Sequence, residues 1–137
     1  MSRTIEDRPV TLLRQSFTIR HLKRVRRLVG WAAHRVGLNR ERRQGMVLAV
    51  HEAAANAVKH GGGTGELELI QDDSRSLIAK ISDDGPGMPA DAPVDHPSVE
   101  QTGGRGRYLI QETCDRVEIR TGPAGTTVRL EMDVDGT

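Results

Sequence analysis

The chain has 137 residues, with 20 Lys and Arg against 19 Asp and Glu, and one cysteine. That length suits a single domain with a real core, and a lone Cys114 excludes an internal disulfide or a cysteine-built metal cage. Phe17, Trp31 and Tyr108 are the whole aromatic complement, so the core must come from Leu, Val, Ile and Ala, and single-strand nucleic-acid binding through stacked rings is disfavoured.

The near-neutral total hides an asymmetry. Residues 1–43 hold 12 basic and 3 acidic side chains, which leaves 8 and 16 for residues 44–137. Such a basic segment fits solvated amphipathic helix faces, and it equally fits a surface for nucleic acid or an acidic partner. The opening "MSRTIEDRPVTLLRQ" has no apolar run long enough for a signal peptide or a membrane span, so a cytoplasmic protein with no membrane association is the expectation.

In chain order, "RQSFTIR" (14–20) alternates as a strand does. From His21 to Val36, Leu22, Val25, Leu28, Val29, Ala32 and Val36 recur at helical spacing with Arg and Lys opposite. Gly37 suits a C-terminal cap and Asn39 an N-cap for a second helix from about Arg40 to His60, which stops in three glycines. "GELELIQ" (65–71) and "SLIAKISD" (76–83), separated by Asp72-Asp73-Ser74, read as an antiparallel hairpin. Residues 84–106 carry four prolines and five glycines and read as a long loop. "RYLIQETC" (107–114) reads as a short helix, and "DRVEIRT" (115–121) and "GTTVRLEMDV" (125–134) as two more strands. This order of strands with grouped helices predicts an α+β two-layer sandwich.

Four stretches carry chemistry. Glu52 and Asn56 are one helical turn apart and share a face, which His60 extends by another turn. An amide oxygen is a hard donor suited to Mg²⁺, and a carboxylate one turn away can take a proton from a nucleophile. Taken alone, the same pattern is the solvated face of any helix. "SDDGPGMP" (82–89) puts Asp83 at a strand end, where it can accept from an exocyclic amine, and Gly85 and Gly87 let backbone approach a ligand; taken alone it is a glycine turn. "GGRGRYLI" (103–110) places Gly104 and Gly106 before a short helix, where backbone N–H groups and the helix dipole favour a phosphate and Arg105 adds a charge-assisted contact. It lacks the Lys-Ser/Thr pair of a Walker A loop. "GTTV" (125–128) opens the last strand and offers the Thr126 hydroxyl, although threonine is also an ordinary strand residue.

In this order and spacing the four stretches resemble the boxes of the Bergerat-fold ATP-binding superfamily of histidine kinases, gyrase and mismatch-repair ATPases. The small single-domain branch of anti-sigma factor serine/threonine kinases is the nearest in pattern, over residues 14–133, with residues 1–137 as one ATP-binding domain. The resemblance implies a mixed, mostly antiparallel sheet covered on one face by helices. It implies ATP and Mg²⁺ as cofactors, with Asn56 on the metal and Glu52 as base toward the hydroxyl that receives phosphate. Asp83 would bond the adenine amino group, with Gly85 and Gly87 shaping the pocket. Gly104, Arg105 and Gly106 would lie along the phosphates, Thr126 beside the adenine, and residues 88–103 would form the ATP lid. Its implied partners are a sigma factor and an anti-sigma factor antagonist protein, and the family allows a homodimer. One departure is Arg107, where the family often has an apolar residue.

Two other readings remain open on the sequence. The same boxes would serve an ATP-binding regulatory module that captures a partner and transfers nothing. A DNA-binding helix-turn-helix over residues 22–60 would put the arginines on phosphates, but "MVLAVHEAAANAV" is mostly small and apolar where a recognition helix needs polar side chains, so direct nucleic-acid binding is not expected.

Overall fold

A computed structural model describes residues 9–73, 75–85 and 110–134. Strand β1 (Val10–Thr18) leads through a 3-10 turn (Ile19–His21) into helix α1 (Leu22–Val36), followed by α2 (Arg40–His60). Strands β2 (Thr64–Asp72), β3 (Ser76–Asp83), β4 (Arg116–Gly122) and β5 (Gly125–Asp133) complete the fold, and residues 110–113 are helical. The expected α+β two-layer sandwich is present.

Local chemistry sets the boundaries. Thr18 accepts from the Arg20 N–H, and His21 Nδ1 accepts from the Thr18 N–H, so the two ends of the 3-10 turn cap each other. Gly37 takes a left-handed φ of 107° and its N–H closes α1 on Ala33 and His34, a conformation that costs glycine nothing. Two residues later the Asn39 side chain accepts from the Arg42 N–H and starts α2.

The sheet order is β1-β2-β3-β5-β4, antiparallel throughout the described pairs. Alternation sorts its two faces. Leu67, Leu69, Leu77, Ala79, Ile81, Leu130 and Met132 point toward the helices and join Val25, Val29, Ala32, Met46, Ala49, Val50, Ala53 and Ala54 in one buried core. The alanines of α2 explain how a helix can lie so close to the sheet: methyl groups replace long side chains along its buried face. The opposite sheet face carries mostly charged and hydroxyl residues, apart from the buried pair Ile70 and Ile78, which sit across from each other.

Strand β1 begins four residues before the expected start. Its register shifts between Thr11 and Leu13, and this bulge breaks the alternation that marks a strand in sequence.

Candidate functional site

The C-terminal half of α2 lies across the ends of β3 and β5, and a cleft of about 500 Å³, open mouth included, lies between them. Ala53, Asn56, Ala57 and His60 line it from the helix, Ile81 and Asp83 from β3, Ile119 from β4, Thr126 and Val128 from β5, and Ile110 from the far side. Its make-up matches that of small-molecule sites: apolar walls with a few polar groups to fix orientation.

Asp83 is the most constrained of those polar groups. One of its carboxylate oxygens accepts from the Gly85 N–H at 2.9 Å, which leaves the other able to accept from a ligand. Three glycines from separate segments close on it. A Cβ at Gly61, the residue that ends α2, would stand 2.3 Å from the Asp83 carboxyl carbon. A Cβ at Gly85 would stand 2.4 Å from the backbone of Gly61. At Gly125, with φ of 137°, a Cβ would fall 2.0 Å from the Asp83 carbonyl oxygen. No side chain larger than hydrogen fits at any of the three, so backbone from three segments packs closely around Asp83, Gly61 against its carboxyl group and Gly125 against its carbonyl.

Thr126 faces Asp83 across the β3–β5 ladder, is 8% exposed, and shares a 2.8 Å hydroxyl contact with Thr121 of β4. Asn56 is half-buried on the cleft wall, and no described residue hydrogen-bonds its side chain. Glu52, also half-buried, lies one turn earlier and is not among the residues that line the cleft. The structure therefore brings Asn56, Asp83, Gly85 and Thr126 to one place and sets Glu52 beside it. Gly87, Gly104, Arg105, Gly106 and the expected lid over 88–103 lie outside the described residues.

Sequence reasoning passed over Gly61, read there only as a helix stop, and over Ile119 and Thr121 of β4. The only signal for Gly61 was the glycine run itself, since glycine also permits close approach to a neighbouring segment. Nothing in a strand pattern distinguishes Ile119 from other inward residues.

Magnesium is tested by the chemistry of the donors present. Asn56 offers one hard neutral oxygen on the cleft wall, and Mg²⁺ in nucleotide sites takes one or two protein oxygens and completes its shell with phosphates and water. The residues fit the ion. Among the described residues no group of three or more His, Cys, Asp or Glu gathers as a metal site.

Comparison with known proteins agrees with this fold. The sequence profile of the histidine kinase-like ATPase domain matches residues 16–132. No curated protein sequence matches the chain. Among solved structures, the RsbU and RsbW domains of Rv1364c from Mycobacterium tuberculosis superpose with a TM-score of 0.62 at 19% identity, covering 88% of this chain and 32% of that one. The histidine kinase domain of the blue-light activated histidine kinase from Erythrobacter litoralis EL346 gives 0.56 at 22% identity, covering 82% and 60%. A chain of the SiaB-SiaC complex from Pseudomonas aeruginosa gives 0.62 at 8% identity, covering 90% and 91%. The first two are substantially longer than the part matched, so this chain spans about a third and three-fifths of their lengths. At such identities the likeness is one of fold.

Proposed function

Since this chain belongs to the histidine kinase-like ATPase domain family, we propose that it is an ATP-dependent regulatory protein serine/threonine kinase of the anti-sigma factor type. It would phosphorylate an anti-sigma factor antagonist and sequester a sigma factor. The observation that carries the nucleotide half of this reading is the Asp83 cradle at the mouth of an apolar cleft. A carboxylate held by the Gly85 N–H and hemmed by Gly61, with one oxygen free, would recognise the exocyclic amine of adenine, and Ala53, Ala57, Ile81 and Val128 would give the base its apolar walls. The names of the solved relatives supply the partner half: one includes an RsbW domain, and another is a SiaB-SiaC complex.

In this reading the family's nucleotide boxes do most of the catalysis by positioning. Thr126, in hydroxyl contact with Thr121, would sit beside the base. Asn56 would hold Mg²⁺, which when bound neutralises charge on the phosphate oxygens. Glu52 would accept the proton of the serine or threonine hydroxyl as its oxygen bonds to the γ-phosphorus and the bond to ADP breaks. Glu52 stands outside the adenine cleft, one turn of α2 before Asn56, as fits a group that meets the protein substrate rather than the base. Residues 103–106, with Arg105, would lie along the phosphates.

Two variants test the assignment. Asn56→Ala should remove the magnesium-dependent part of ATP binding measured by calorimetry with and without Mg²⁺. Glu52→Ala should abolish transfer of labelled phosphate to a candidate antagonist while ATP affinity stays near wild type. Transfer at the wild-type rate by Glu52→Ala would remove Glu52 as the base. ATP binding by the wild type with no transfer to any antagonist would favour the silent regulatory module.

A further inference from the structure

A second concavity lies between α1 and α2, about 790 Å³ with its open mouth, whose lining includes Arg26, Gly30, Arg40, Arg43, Val47, Leu48 and His51. It is separate from the nucleotide cleft. At about 100° per residue, positions 40, 43, 44, 47, 48 and 51 fall on one side of α2, whereas 53, 56, 57 and 60 fall on the other.

Three features of this groove run against local stability. Gly30 is in the middle of α1, where glycine is a poor helix former, yet a Cβ there would meet only Val47, at 3.9 Å. Packing therefore does not require the glycine, and its effect is to leave the groove floor open. Arg40 and Arg43 are in the first turn of α2, at the positive end of the helix dipole, where carboxylates are favoured and arginines are not. Arg42, in the same turn, is explained by its ion pair with Asp115. Arg40 and Arg43 have no carboxylate partner among the described residues; Arg43 donates only to the Leu38 carbonyl. Arg26 likewise has no carboxylate and donates to His51 Nδ1 at 3.1 Å. Among these charges the lining residue Leu48 is 45% exposed.

We propose that the α1–α2 groove is a docking site for an acidic, amphipathic segment of a protein partner, whose carboxylates meet Arg26, Arg40 and Arg43 while an apolar side chain enters over Gly30 and Val47. Local rules broken at several positions around one cavity are what a binding surface leaves in a sequence. Charge complementarity selects the occupant. The groove lining has arginines and a histidine and no carboxylate, so two copies meeting face to face through it would set like charges together. A nucleic acid would satisfy the arginines but leave Gly30, Val47 and the exposed Leu48 of the lining without an apolar partner. The groove and the nucleotide cleft can fail independently, because the test uses no nucleotide.

The probe is a fluorescein-labelled synthetic helical peptide with glutamates on one face and leucines at i, i+3 and i+4, titrated against the full chain by anisotropy. Poly-L-glutamate and a mixed-sequence DNA duplex serve as the other two arms. The expected result is saturable peptide binding, tighter than that of poly-L-glutamate, which weakens about tenfold or more in Arg40→Glu, equivalent to one charge-pair loss. Arg40→Glu puts a carboxylate at a helix start, so this loss is not a folding defect. Gly30→Leu, which fills the floor, should weaken the peptide while leaving poly-L-glutamate unchanged. Equal affinity of the peptide for wild type, Arg40→Glu and Gly30→Leu would overturn the proposal. So would the absence of saturable binding, poly-L-glutamate binding as tightly as the peptide, or a duplex that binds more tightly and is lost with the same substitutions.

Discussion

At one end of the β3–β5 ladder Asp83 faces Thr126, and at the other Ser76 faces Asp133. The first end keeps a carboxylate oxygen in reserve and is surrounded by glycines. At the second, the carboxylates of Glu131, Asp133 and Asp115 are engaged. Glu131 accepts from the buried Ser76 hydroxyl at 2.8 Å and pairs with Arg116 and Arg129, each at 3.1 Å. Arg116 also pairs with Asp133, whose N–H donates to Asp115, and Asp115 closes the chain on Arg42 of α2 at 2.9 Å. The same two strands thus bind the fold at one end and present unspent polar groups at the other, which is the division expected when one end is kept for a ligand.

The comparison is broken most severely at Gly125. In Gly125→Ala the new methyl meets the Asp83 carbonyl oxygen and the residue must hold a φ of 137°, so the ladder has to open beside the cleft. Left-handed strain and overpacking together should cost about 3 kcal/mol or more, read by denaturant unfolding, and ATP binding should be lost with it. A stability within about 0.5 kcal/mol of wild type would mean that the strand ends are not packed as described. Gly122, at the other side of the same turn, has open space for a Cβ, and Gly122→Ala provides the matched control.

Asp83→Asn sharpens the comparison with a smaller effect. It keeps the shape and an oxygen for the Gly85 N–H but removes the charge, so ATP affinity should fall about tenfold or more, the worth of one charge-assisted hydrogen bond. The unfolding midpoint should move little. Unchanged affinity would move base recognition away from Asp83.

How much of this could be read from the sequence depends on what each residue type reports. Gly37 and Asn39 announced the α1–α2 junction because caps demand those side chains, and both helices end where they were expected. The hairpin of β2 and β3 was legible from alternation, and Asp73 at φ of 58° supplies its turn. The start of β1 was hidden by its bulge. In the site, Asn56, Asp83 and Thr126 were legible as an ordered set, and the structure gathers them. The closure of Gly61 and Gly125 on Asp83 was not, because a glycine reports that a side chain is absent without naming the neighbour that forbids one. The groove between the helices was legible only as excess arginine; its open floor needed coordinates.

The smallest expected effect is at the engaged end. Burial alone would raise the Glu131 carboxyl, but hydrogen bonds from Arg116 and Ser76, with the charges of Arg116 and Arg129, outweigh it and hold the group below the usual glutamate value. Burial likewise acts upward on Asp115 and is outweighed by the Asp133 N–H and by Arg42, so its carboxyl too lies below the usual aspartate value. The neighbouring Cys114 thiol, buried and next to the Asp115 charge, is pushed up to about 12 and stays protonated, so it adds nothing in the acid range. For carboxyls depressed on folding, the unfolded chain binds more protons than the native one, so stability rises with pH across that window. Their contribution is complete above the ordinary carboxyl range, about pH 5, and is lost as pH falls through the depressed native values. Glu131→Gln should therefore flatten the acid limb of a stability–pH curve measured by urea unfolding, by about 1 kcal/mol, and change little in slope above pH 6. The amide keeps a carbonyl acceptor for Ser76, so a packing defect would lower the whole curve evenly, whereas loss of the charge removes only its pH-dependent part. An acid limb as steep in Glu131→Gln as in wild type would mean that the Glu131 charge is not engaged as its contacts indicate.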